Sequence, residues 1–185
     1  MCLCLGPAKS GKTLLMKRLQ GEDIDDATQT VPTNGVDLYT VKNSDGHFDM
    51  VIKEIGGNMA PIWKRYFDKV YKILYVVDAS NLCQISAAGV LLYSILVDPR
   101  LQNVKIALVL GKMDLSYRQM RNEALLMLHF SRLQREVKQK ITVFEASGMD
   151  GTGIEEIRSW LFDLETLKKT GAPPDFLPQP STSKK

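Results

Sequence analysis

The chain has few cysteines, little net charge and no long apolar run, and each shortage excludes a class of protein. Only three of its 185 residues are cysteine. Three unevenly placed thiols do not make a disulfide framework, and they fit a reducing compartment. Lysine and arginine number 24 against 21 acids, a net charge of +3. That balance lacks the basic stripe of a nucleic-acid-binding protein, so no nucleic-acid partner is expected. No apolar stretch approaches the ~18 residues that cross a bilayer. The opening "MCLCLGP" has no charged lead-in and no cleavage site, so it is not read as a signal peptide. Position 2 is Cys2 rather than glycine, and the terminal "TSKK" has no prenylation cysteine, so neither lipid signal is expected. Alternation with Leu3 and Leu5 marks Cys2 and Cys4 as buried strand residues rather than lipid attachment sites. A cytoplasmic monomer is expected.

What is present alternates short apolar runs with amphipathic segments, the pattern of an α/β protein. "MCLCL" reads as a buried strand and "SGKTLLMKRLQ" as the helix after it. Residues 21–35 are polar and form a long loop. "VDLYTVK" and "FDMVIKEI" are strands joined through "NSDGH", whose Asp45-Gly46 pair signals a hairpin. "KILYVVDA" and "VKIALVLG" are continuous apolar strands, as expected where both sheet faces are covered. Ile85, Ala88, Leu91, Leu92 and Ile95 recur at helical spacing. Residues 117–138 are expected to form one charged helix carrying Leu125, Leu128 and Leu133. "ITVFEAS" is the last strand. Thr152 and Glu155 suggest a capping box for a helix burying Ile154, Ile157, Leu161 and Leu164. The expected fold is a doubly wound, mostly parallel six-stranded sheet with one antiparallel strand, flanked by helices. A single domain over 1–168 precedes a Pro-rich tail over 169–185 that is expected to be disordered.

Two motifs carry chemistry. "GPAKSGKT", residues 6–13, matches G-x-x-x-x-G-K-[ST] between a strand and a helix. Gly6 and Gly11 let the backbone wrap phosphate oxygens, so the amides of Lys9, Ser10, Gly11, Lys12 and Thr13 point inward. The helix dipole adds positive potential. Lys12 places a charge on the β- and γ-phosphates, and the Thr13 hydroxyl is a hard ligand for Mg2+. "GKMD", residues 111–114, ends a buried strand. The Asp114 carboxylate can accept two N–H bonds from the N1 and N2 edge of guanine, whereas adenine would leave it unpaired. The Lys112 stem can lie along the base plane.

These motifs, with "TVPTNG", "IGGNMAPIWKRYF", "YVVDAS" and "EASGMDGTGIEEIRSWL", resemble the Ras-like small GTPases, and within them the ADP-ribosylation factor-like branch. The resemblance covers residue 1 to about 168. It implies a P-loop GTPase fold and a molecular switch that binds GTP or GDP with Mg2+. It also implies effectors, exchange factors or GTPase-activating proteins acting on residues 28–36 and 55–67. By position, Thr33 corresponds to the switch threonine that meets Mg2+ and the γ-phosphate, and Gly57 to the glycine whose amide senses that phosphate. Ala146 and Ser147 correspond to the loop that meets guanine O6 through backbone N–H. Trp63, Tyr66 and Phe67 correspond to an exposed aromatic recognition surface, or else pack as core beneath it.

Four positions depart from the family pattern. Gly111 stands where the guanine motif begins with Asn, which removes a tether to the P-loop and predicts weaker binding with faster exchange. Glu54 replaces the Asp that holds a Mg2+-bound water; charge is kept, so metal binding should survive. Asn58 replaces the water-orienting Gln with an amide one methylene short, which predicts slow hydrolysis. The first strand starts at about residue 2, leaving no amphipathic segment before it, so direct membrane insertion is not expected. Besides a slowly cycling switch, a GTP-bound adaptor that does not hydrolyse and a small-molecule kinase are the alternative readings. The last would need an arginine-bearing lid, whereas the arginines from 118 to 135 read as a solvated helix face.

Overall fold

The computed structural model describes residues 1–163 apart from 26, 29, 45–47 and 117; of Arg118 only the backbone is described. The hairpin turn at Asp45-Gly46, Leu164 and the tail therefore lie outside the described residues. Six strands form one sheet: β1 (Cys2–Leu5), β2 (Val36–Lys42), β3 (Asp49–Ile55), β4 (Lys72–Asp78), β5 (Lys105–Gly111) and β6 (Ile141–Glu145). Their order is β2-β3-β1-β4-β5-β6. Only the β2–β3 pair is antiparallel, from Val36 opposite Ile55 to Lys42 opposite Asp49. The remaining pairs are parallel.

Strand alternation assigns the two faces. Cys2, Cys4, Leu74, Val76, Ala107 and Val109 point to one side and pack under α1 (Lys12–Gln20) and α5 (Ile154–Leu161). Leu3, Leu5, Ile73, Tyr75, Val77, Leu108 and Leu110 point to the other. There they meet α2 (Leu82–Leu96), α3 (Arg118–Met127), α4 (Phe130–Glu136) and a 3-10 segment over Gly57–Tyr66. Successive residues on opposite sheet faces, each face covered by helices, explain why β4 and β5 read as unbroken apolar runs.

Two local expectations fail for identifiable reasons, and one open alternative is decided. The helix expected over 117–138 is two helices, because His129 adopts a left-handed backbone (φ 50°) between α3 and α4. The apolar spacing continues across the break, so periodicity alone does not reveal it. The Thr152–Glu155 capping box does not form; Gly153 is the N-cap of α5 and carries no side-chain cap. Gly153 has φ 73°, and a Cβ there would stand 1.8 Å from the Glu145 carbonyl oxygen, so a tight return past β6 sets the helix start. Trp63 and Phe67 are core residues, each 2% exposed, and Tyr66 is half-buried. The Trp63 indole donates to the Gly56 carbonyl (3.2 Å) and meets Tyr75 edge-on. Of the two readings left open for Trp63 and Phe67, the structure takes the core one.

At the end of the sheet away from the motifs, Lys72 is fully buried. Its ammonium donates to the carbonyls of Trp160 and Leu161 (2.8 and 2.7 Å) and lies over the Trp160 ring. It thereby closes the carbonyl end of α5. Burial pushes Lys72 down to about 8, opposed by Cys2 and Asp163.

Candidate functional site

Every motif falls at the carboxyl ends of the strands, where open α/β sheets bind ligands. The loop after β1 (residues 6–11) leads into α1, and Gly56-Gly57 follow β3. Asp78 ends β4, Gly111 ends β5, and Ala146-Ser147 follow β6. Two adjoining cavities of about 260 and 230 Å3 lie there, with Gly11, Leu14 and Lys112 lining both.

The first cavity is lined by P-loop residues Lys9, Gly11, Lys12 and Thr13, and opposite them by Thr33, Glu54, Gly57 and Asn58. Ser10 is buried and lines the second cavity instead, and its amide, expected to face a phosphate, donates to the Pro7 carbonyl (3.4 Å). The loop and first turn of α1 leave the amides of Lys9, Gly11, Lys12 and Thr13 without acceptors among the described residues. Such orphan donors at a helix N-terminus suit an anion. Lys12 is nearly buried, and its ammonium donates to the carbonyls of Gly6 (3.0 Å) and Pro7 (2.7 Å). Burial lowers its pKa, opposed by Cys4 and Glu54. Gly57 packs directly on the loop: a Cβ there would stand 2.1 Å from the Ala8 nitrogen. Only glycine permits that approach, and the Gly57 N–H has no acceptor among the described residues.

Three oxygens converge beside it. Glu54 Oε1 accepts from the hydroxyls of Thr13 (2.7 Å) and Thr33 (3.3 Å), which lie 3.2 Å apart. Glu54 Oε2 is buried without a well-formed hydrogen bond. Burial raises the Glu54 pKa, opposed by Thr13, Lys12 and Thr33. Burial and the same carboxylate hold the Tyr39 phenol above its ordinary range. One carboxylate and two hydroxyls are hard-oxygen donors of the kind Mg2+ takes, and Oε2, without a well-formed hydrogen bond, fits a cation or its water. Among the described residues no cluster of three His, Cys, Asp or Glu accompanies them, so phosphate oxygens would have to complete such a site.

In the second cavity Asp114 and Ala146 meet Gly111, Lys112 and Gly148. Asp114 is exposed, and its Oδ1 accepts from the Ser147 hydroxyl (2.6 Å), which orients the carboxylate. The backbone amides expected to face O6 are otherwise engaged: Ala146 N donates to Leu110 O and Ser147 N to Thr152 O. The Gly148 N–H makes no hydrogen bond among the described residues, and Gly148 lines the cavity. The register of the loop thus moves the available donor one residue on.

Sequence reasoning missed three supporting side chains. Arg18 of α1 donates to the carbonyls of Gly148 and Met149. Gln84 at the start of α2 donates to Ala8 O (3.0 Å). Asp78 pairs with Lys112. None has a local signature, since each meets a segment distant in the chain.

The model of the ADP-ribosylation factor family matches residues 1–164. The chain belongs to that family. This Arf-family chain is 34% identical over 168 residues to human ADP-ribosylation factor-like protein 16, covering 87% of itself and 84% of that protein. It is 29% identical over 161 residues to ADP-ribosylation factor-like protein 3 of Chlamydomonas reinhardtii, covering 86% of each. Its fold matches the Arl6 (BBS3) small GTPase of Trypanosoma brucei, solved with the nucleotide analogue GppNp bound. The TM-score is 0.74 at 21% identity, over 91% of this chain and 98% of that one. The Arf-family chain is thus a small GTPase by family and by fold. Among its described residues no helix is long and apolar enough to cross a membrane.

Proposed function

We propose that the chain is a guanine-nucleotide switch that binds GTP and GDP with Mg2+, recruits partners in the GTP state and hydrolyses GTP slowly. The observation that carries this is one site with two chemically different ends. Orphan amides and Lys12 stand at one end, and Asp114, held by Ser147, stands at the other. The amides of Lys9, Gly11, Lys12 and Thr13 and the Lys12 ammonium hold the phosphates, while the Gly57 N–H senses the γ-phosphate. Asp114 accepts the N1 and N2 donors of guanine, and the Gly148 N–H takes O6 in place of Ala146 and Ser147. Lys112 lies along the base.

Thr13, Thr33 and Glu54 would hold Mg2+, which when bound neutralises phosphate charge. Through the Thr13–Glu54–Thr33 contacts, Thr33 ties the segment it belongs to, within residues 28–36, to the P-loop. Residues 28–36 and 55–67 together form the partner surface, where Val31 is 80% exposed. Effectors, exchange factors and GTPase-activating proteins are the expected partners. Asn58, exposed at the phosphate cavity, orients water with an arm one methylene short, so hydrolysis is slow.

Denaturing the purified protein, identifying the released nucleotide, and titrating GDP and GTP with and without Mg2+ tests the reading. Guanine nucleotide is expected; ATP, or no binding at any concentration, refutes it. The shortness of Asn58 also favours an adaptor that stays GTP-bound. A GTPase rate that stays at background with and without cell extract would select the adaptor.

A further inference from the structure

Lys112 stands with Gly11 and Leu14 where the phosphate cavity meets the base cavity, and it is the charged side chain of the three. Nothing at position 111 fixes it: Gly111 has no side chain, although a Cβ there would face the Ser10 carbonyl of the P-loop at 3.4 Å. The next residue, Lys112, takes a left-handed backbone (φ 58°), a conformation an unbranched side chain tolerates only when its surroundings hold it.

What holds it comes from the neighbouring strand. Lys112 Nζ donates to Asp78 Oδ2 at 2.6 Å. Asp78 is 4% exposed, and its other oxygen, Oδ1, accepts from the Ser80 amide (3.0 Å) and hydroxyl (2.6 Å). The carboxylate is therefore oriented before it meets the lysine. With its end pinned, the Lys112 stem runs across Gly11, where a Cβ would stand 3.8 and 3.9 Å from Lys112 Cε and Cγ. Gly111 and Asp78 are also opposite one another in the β4–β5 register, and Ala79 N donates to Gly111 O (3.1 Å).

The geometry points to Asp78 as a positioning residue for guanine-nucleotide binding. It ties the base loop to the P-loop through Lys112, the task that a side chain at 111 would otherwise perform. This rests on the guanine-nucleotide reading above. Asp78 touches neither cavity, so it acts through Lys112 and not on the ligand.

The test is a double-mutant cycle on the dissociation of a fluorescent GDP from the full chain in Mg2+, with thermal unfolding recorded for each variant. Breaking a charge-assisted bond to a partly exposed lysine should speed dissociation in Asp78→Asn by about 5- to 30-fold. In the Lys112→Gln background the same change should add less than about twofold, because the lysine it positions is gone. Equal effects in both backgrounds, or no effect in the native one, overturn the proposal. A merely structural role would give equal effects. If Asp78→Asn does not fold, Ser80→Ala replaces it; dissociation should quicken by about two- to fivefold in the native background only. No effect of Ser80→Ala, or the same effect in both backgrounds, overturns the proposal as well. Failure of the native chain to bind GDP removes both readings, whereas native binding that ignores Asp78 removes this one alone.

Discussion

Replacing Gly111 with asparagine should tighten nucleotide binding, and the structure sets the size of the effect. Gly111 is buried at the end of β5. A Cβ there would lie 3.4 Å from the carbonyl oxygens of Ser10 and Val77 and 3.5 Å from Val76 Cγ1. These are ordinary contacts, so a short side chain fits without displacing backbone. The asparagine amide lies two bonds beyond Cβ, within reach of the Ser10 carbonyl, and can donate to it. A bond of this kind between two loops that clasp one ligand is worth about 1–3 kcal/mol, roughly 5- to 150-fold in affinity. Chasing a preloaded fluorescent GDP with excess unlabelled GDP should therefore show dissociation slowed within that range. The variant should also be less sensitive to Asp78→Asn, since the two loops then have a second tie. Dissociation that is unchanged or faster in a variant with native circular dichroism would refute the missing-tether reasoning.

Asn58→Gln should raise single-turnover GTP hydrolysis by about 10- to 100-fold, because it restores the reach of the water-orienting amide; a variant no faster than its parent excludes Asn58 as the limiting group. In Gly57→Ala the new Cβ would stand 2.1 Å from the Ala8 nitrogen and 2.5 Å from the Pro7 carbonyl carbon, so the backbones must part. GTP affinity should fall about 10- to 100-fold and GDP affinity by less; equal losses in titrations of the two would remove Gly57 as a γ-phosphate sensor. Lys72→Met should change the pH dependence of stability. Burial holds Lys72 down to about 8, against 10.5 in the unfolded chain, so between those values the unfolded state binds the extra proton. The parent should therefore gain stability relative to the variant as pH rises from 8 to 10.5, by at most about 3 kcal/mol. Urea unfolding at several pH values reads the difference. Subtraction is needed because the Cys2 thiol, pushed up to about 12 by burial, works in the opposite direction above pH 9. Parallel curves for parent and variant would show that Lys72 is not desolvated.

Much of the fold was legible because it is written in short-range pattern. Alternation in "MCLCL" predicted that Cys2 and Cys4 lie on one face, and both are fully buried. The continuous apolar runs of β4 and β5 predicted a sheet covered on both sides, and the β2–β3 pair supplied the antiparallel edge. Errors and open choices arose where a local pattern has two structural solutions. Apolar spacing from 117 to 138 suits one helix or two, and the backbone at His129 chose two. An aromatic following a glycine pair suits a surface or a core. Trp63 went inward because its indole found the Gly56 carbonyl and the Tyr75 ring.

The same division runs through the site. Sequence alone determined which segments meet at the carboxyl edge of the sheet, because glycine spacing, strand periodicity and the order of motifs are properties of neighbouring bonds. Only the tertiary structure decided which groups remain available there. Ala146 and Ser147 lose their amides to Leu110 and Thr152, and Gly148 keeps its own. Lys112 is pinned by a carboxylate 34 residues away, and the loop beyond β6 is held by an arginine 130 residues away. A donor is free or engaged according to what packs against it in space, and no local pattern encodes a partner that distant.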